Sequence, residues 1–114
     1  MPIANCIITS KCQNNSDSSS NLIELWANES KMSSEQMTIN IITSTEQLGN
    51  EYVIMANLLL PSIWSKPDIT SLQIGLAKAL TLHYDVSLED IFISTNIVKS
   101  GMVVESGKEV KWSL

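Results

Sequence analysis

Ser33-Ser34-Glu35-Gln36-Met37-Thr38-Ile39-Asn40 and Ser87-Leu88-Glu89-Asp90-Ile91-Phe92-Ile93-Ser94 follow one pattern, a serine turn with a glutamate two residues on, leading into a β-prone run. The two stretches lie 54 positions apart in a chain of 114 residues. The helical patterns before them also correspond, at an offset of about 50. Each half therefore reads strand–helix–strand, and the chain is βαβ twice, an α/β fold in a single domain spanning 1–114. The pseudo-repeats cover about 2–45 and 53–98 and leave a C-terminal tail. Parallel strands joined by a helix cross over right-handedly, which fixes most of the topology. The expected product is one four-stranded mixed sheet with two helices on one face.

The elements follow from periodicity. Residues 3–9 (IANCIIT) are apolar and β-prone, a strand starting close to Met1. Gln13 to Ser20 is polar and reads as an exposed loop. Leu22, Ile23, Leu25 and Trp26 fall on one helical face within 21–32, with Ser20 or Asn21 as N-cap. Met37 to Thr45 is almost uninterrupted β pattern, as for a strand covered on both faces, and Gly49-Asn50 signals a turn. Val53 to Ile63 is apolar except at Asn57 and Ser62, with Pro61 near its end. Ser65-Lys66-Pro67-Asp68 opens a helix whose apolar stripe runs through Ile69, Leu72, Leu76, Ala79 and Leu80. Ile91 to Val98 is the fourth strand, and Gly101 and Gly107 bracket a short tail hairpin. With two helices on one face, the apolar outer face of the sheet needs a cover, for which another copy of the sheet is the simplest candidate.

Composition excludes several classes of function. The chain is 44% hydrophobic and 17% charged, with a net charge of -5, which argues against nucleic acid and anionic membranes as partners. All seven basic residues are Lys, so the planar two-point clamp that Arg offers a carboxylate is missing. Two cysteines, Cys6 and Cys12, and one histidine, His83, form no metal-ligand spacing, so neither metal nor cofactor is expected. Signal-peptide and membrane-spanning patterns are absent, and cytoplasmic residence with reduced thiols is the expectation.

Pro2 is the most informative single residue. Removal of Met1 before so small a side chain leaves a prolyl secondary amine, and burial of that amine disfavours its charged form. A base neutral near pH 7 suits proton transfer. The remaining candidates read as structure: His83 as a cation at a helix C-terminus, Cys6 as a buried strand residue, Trp26 and Trp64 as packing. Trp112, Glu105 and Glu109 fall in the C-terminal tail, where Trp112 reads as a core or subunit contact.

A proline after Met1 feeding a strand, followed by two βαβ units, resembles the tautomerase superfamily nearly end to end. The matching segments are PIANCII (2–8), LLLPSIW (58–64), ITSLQIGLAKAL (69–80) and VSLEDIFIS (86–94), with the tail SGMVVESGKEVKW (100–112) resembling uncharacterised bacterial members. The nearest branch is the fused-repeat kind that includes macrophage migration inhibitory factor. The resemblance implies a homotrimer with inward-facing sheets and a cofactor-free active site around Pro2 at the subunit boundary. It implies Pro2 as catalytic base, Ser62 and Ile63 where a backbone amide binds substrate, and Phe92 and Ser94 supplied by a neighbouring subunit. Lys31 lies near the position of that branch's lysine, which aligns with Ser33. The paired arginines of the dehalogenase branch have no counterpart. The implied activity is keto–enol tautomerisation of a small 2-oxo acid. The alternatives are a catalytically silent binding member of the fold, or a monomeric ferredoxin-like domain that binds a small ligand.

Overall fold

Alternation along two central strands decides where the helices lie. The computed structural model describes residues 1–12 and 21–112. In it Ala4 and Cys6 of β1 (Ile3–Ile8) and Ile54, Ala56, Leu58 and Leu60 of β3 (Ile54–Pro61) are all buried. Side chains alternate across a strand, so these positions share one face, and α1 (Leu22–Ser30) and α2 (Lys66–Tyr84) cover it. β2 (Thr38–Thr43) and β4 (Ile91–Val98) complete a sheet in the order β2-β1-β3-β4. β1 pairs parallel with β2, β3 pairs parallel with β4, and β1 and β3 pair antiparallel at the centre. Each crossover thus joins adjacent strands. The ferredoxin-like alternative requires a split βαβ with a strand inserted between the partners, and this order excludes it.

The two halves repeat down to their hydrogen bonds. Ser33 Oγ accepts from the Glu35 N–H at 3.1 Å, and Ser87 Oγ accepts from the Glu89 N–H at 3.3 Å. The Met37 N–H donates to Ser34 O, as the Ile91 N–H donates to Leu88 O, each closing the turn that delivers the following strand. In the second half the turn is a short 3-10 segment, Leu88–Asp90.

Local chemistry sets the helix ends. Asn21 and Ser65 cap α1 and α2, accepting from Glu24 and Asp68 N–H groups, and Pro67 sits in the first turn of α2 where its missing N–H costs nothing. Left-handed Lys31 and Asp85 terminate the helices. Leu72, Leu76 and Leu80 of α2 are fully buried, each contributing roughly 1.5–3 kcal/mol by leaving water. Trp26 is buried too, and its Nε1 donates to Leu72 O at 3.1 Å, tying α1 to α2. The tail forms a hairpin of β5 (Val103–Glu105) and β6 (Lys108–Val110). No helix among the described residues is long and apolar enough to cross a membrane.

One expectation changes. β2 is an edge strand, exposed at five of its six residues, rather than covered on both faces. Ile39 packs against the core, whereas Ile41 and Ile42 are 41% and 52% exposed. The Gln13–Ser20 loop lies outside the described residues.

Gly75 is where the helices meet most closely. A Cβ there would lie 2.9 Å from the Ser30 backbone N and 3.0 Å from its Cα. Ser30 is itself buried, and its Oγ has no hydrogen-bond partner among the described residues. Alanine is the better helix former by about 1 kcal/mol at an exposed site, yet here overpacking dominates. Gly75→Ala should lower stability by about 1–3 kcal/mol in urea denaturation, whereas Ser30→Ala, which removes an unpaired hydroxyl, should be neutral or stabilising.

Candidate active site

Pro2 is buried at the entrance to β1, and its carbonyl accepts from the Thr38 N–H at 3.0 Å, so its backbone is fixed by the sheet. A cavity of about 140 Å3 opens beside it. Met1 and Pro2 form one side; Met32, Ser33, Glu35 and Gln36, from the turn between α1 and β2, form another; Trp64, at the turn after β3, closes the third. Gln36 holds a left-handed φ of 70°, unusual for a residue with a side chain and a mark of local strain in this wall. Trp64, read from sequence as packing, does pack against the core and is also a wall of the cavity. Its place after Pro61, where a strand ends beside the start of β1, was the available signal.

The electrostatics are acidic. Burial pushes the Met1 α-amino group below its ordinary 8.0, against the opposing pull of the Glu105 carboxylate. Glu35 lines the cavity itself, and no lysine does among the described residues. Lys31 forms the exposed left-handed cap of α1, its N–H donating to Ala27 and Asn28 carbonyls, and its side chain is not in the cavity wall. Ser33, two residues on, takes that place.

The structure separates the other sequence-derived candidates. The Ser62 N–H donates to Val98 O at 2.9 Å and its Oγ accepts from Trp112 Nε1 at 3.0 Å, so Ser62 is committed to holding the C-terminal tail. The Ile63 N–H makes no hydrogen bond among the described residues. Phe92 and Ser94 lie on the open face of the sheet: Phe92 packs against Tyr52 with ring centroids 5.3 Å apart, and Ser94 Oγ accepts from Asn57 Nδ2 at 3.1 Å. The register that pairs Ile3 with Leu59 and Met55 with Phe92 sets Phe92 at the end of the sheet away from Pro2 in its own chain. His83 is half-buried in the last turn of α2, edge-on to Tyr84; burial lowers its pKa and favours the neutral imidazole over the expected cation.

A second cavity, about 500 Å3, lies where β3 and β4 begin, with Val53 and Asp90 in its wall. It holds the position in the second half that the Pro2 cavity holds in the first. The Val53 N–H there donates to Asp90 O at 2.9 Å, and Lys11 pairs with Glu51 at 2.9 Å. Among the described residues no group of histidine, cysteine and carboxylate side chains could hold a metal ion.

Solved structures with the same architecture identify it. A fused 4-OT, described as an R7 wild-type asymmetric trimer, superposes with a TM-score of 0.76 at 13% identity, covering 94% of each chain. The fold is that of the tautomerases. N1, a member of the cis-3-chloroacrylic acid dehalogenase family, matches at TM-score 0.70 and 8% identity over 95% of this chain and 82% of its own. Macrophage migration inhibitory factor from Oncomelania hupensis matches at 0.68 and 12% over 97% and 83%. No protein-family model and no curated protein matches the sequence. The likeness is one of fold, at 8% to 13% sequence identity.

Thiol chemistry gives a test of the burial pattern. Burial pushes the Cys6 thiol up to about 12 from 9.0, and burial also raises the half-buried Cys12 thiol. The folded chain therefore keeps the Cys6 proton that the unfolded chain releases, so stability falls as pH rises above about 9. At pH 8 in native buffer, iodoacetamide should label Cys12 at least tenfold faster than Cys6, with the two rates converging in denaturant.

Proposed function

We propose that the chain is a cofactor-free keto–enol tautomerase that uses Pro2 as general base on a small 2-oxo acid. The observation that carries this reading is a buried proline beside a cavity at the start of the central strand of a tautomerase fold. While Met1 is attached, the Pro2 nitrogen belongs to an amide and has no basic lone pair. Removal of Met1 moves the terminal amine about 3.8 Å inward, from a half-buried residue to a buried one. Desolvation lowers the amine of Met1, and burial disfavours the charged form of any amine that takes its place.

In the proposed cycle the enol hydroxyl gives its proton to the prolyl nitrogen, and the prolyl ammonium returns a proton to the neighbouring carbon as the carbonyl forms. The Ile63 N–H anchors the substrate carboxylate, since no cationic side chain lines the cavity. Phe92 and Ser94, far from Pro2 in their own chain, complete the pocket from an adjacent copy in a homotrimer. Support for that assembly is the trimeric state named for fused 4-OT structures and the uncovered apolar face of this sheet. A catalytically silent protein is the second reading, favoured by the acidic lining of a cavity meant for an anion.

Two experiments test it. Protein whose mass gives an N-terminal proline should convert the enol of phenylpyruvate to the ketone, and Pro2→Ala should lower kcat/KM by about 100-fold or more. Equal rates for the two would leave the silent reading. Glu35→Gln should raise kcat/KM for the same anion by roughly threefold at low salt, a gain that shrinks as salt screens the charge.

A further inference from the structure

The open face of the sheet carries a transverse row of amides. Register aligns Asn40 with Asn5, Asn5 with Asn57 and Asn57 with Ser94, one residue from each of the four strands. Asn40 Nδ2 donates to Asn5 Oδ1 at 2.8 Å, and Asn57 Nδ2 donates to Ser94 Oγ at 3.1 Å and to Asn96 Oδ1 at 2.7 Å. Among the described residues Asn5 keeps its Nδ2 unused, and Asn40 and Asn57 keep their Oδ1. One side of the row is flanked by Ile42, Ile7, Met55 and Phe92, of which Ile42, Ile7 and Phe92 are 52%, 39% and 41% exposed. The other side is flanked by Thr38, Ile3, Leu59 and Asn96.

We infer that this row is the polar seam through which copies of the chain align, each copy's spare amide donors and acceptors being met by those of its neighbour. The inference rests on the assembly proposed above and adds what sets its alignment. Two features select a second copy as the occupant. The face presents unused donors and acceptors together, so it is complementary to itself. It also carries no charged side chain at any of these positions, although the chain has a net charge of -5. Copies that repel one another elsewhere can approach here without like-charge contact. An apolar face alone would bury equally well in many orientations. A polar row costs free energy unless met, so it favours the one arrangement that meets it.

The test is Asn57→Asp, followed by analytical ultracentrifugation of the full chain at pH 8 and pH 4, beside wild type and Asn57→Ser. Wild type should be trimeric at both pH values. The aspartate should weaken assembly about 100-fold or more at pH 8, where it is charged in the seam, and regain it at pH 4, where it is protonated. Recovery at low pH would also establish that the variant folds. Asn57→Ser, small, polar and neutral, should remain trimeric at both pH values. A trimeric wild type with an equally trimeric Asn57→Asp at pH 8 would overturn the seam while leaving the assembly intact. Loss of assembly by Asn57→Asp at both pH values with Asn57→Ser unaffected would overturn a neutral amide seam as well. A monomeric wild type would overturn the seam together with the assembly, whereas the Pro2→Ala assay reads the proposed chemistry separately.

Discussion

The antiparallel pairing of β1 with β3 is the constraint on which the molecule depends. Asn5 stands opposite Asn57, and the two βαβ halves spread outward from that pair. Because side chains alternate, this register sends Ala4, Cys6, Ile54, Ala56 and Leu58 under the helices and Ile3, Ile7, Met55 and Leu59 to the other face. A slip of one residue on either strand would exchange the faces, stranding Cys6 in solvent and driving an asparagine beneath Trp26 or Leu76. The same register brings the end of β3, and with it Ile63 and Trp64, beside the start of β1. The Trp64 wall of the Pro2 cavity is therefore a consequence of strand pairing, while the turn between α1 and β2 supplies the wall of Met32, Ser33, Glu35 and Gln36.

Most of this architecture is legible in the sequence because its signals are local and repeated. The serine turns at 33 and 87 recur with their hydrogen bonds, the capping residues Asn21 and Ser65 act where they stand, and the stripe at 72, 76, 79 and 80 is buried. The edge character of β2 was not legible, since an apolar run looks the same whether its cover comes from its own chain or from elsewhere. Trp64 was legible only in part for a related reason: it packs against the core as read, but its second role as a cavity wall is set by the pairing of distant strands. The polar row was not legible because its members, Asn5, Asn40, Asn57 and Ser94, are scattered along the chain. Asn57 stood out as an interruption in an apolar run, yet its partners emerge only once the register is known.

Electrostatics separate this chain from what its architecture alone suggests. A cavity with Glu35 in its lining and Glu105 acting on the nearby amine is a poor trap for anions. A backbone N–H can orient a carboxylate, but it supplies no net charge to offset those two groups. Desolvation of the amine then matters more, because a neutral nitrogen in an acidic surround must resist being protonated by the very field around it.

The two cavities carry a consequence for how a doubled chain is used. The two strand entrances are not equivalent, since the nitrogen at Val53 is sealed inside a peptide and its N–H donates to Asp90 O. The second entrance therefore has no amine to serve as the base proposed at Pro2, and a lysine–glutamate pair lines the larger cavity there instead.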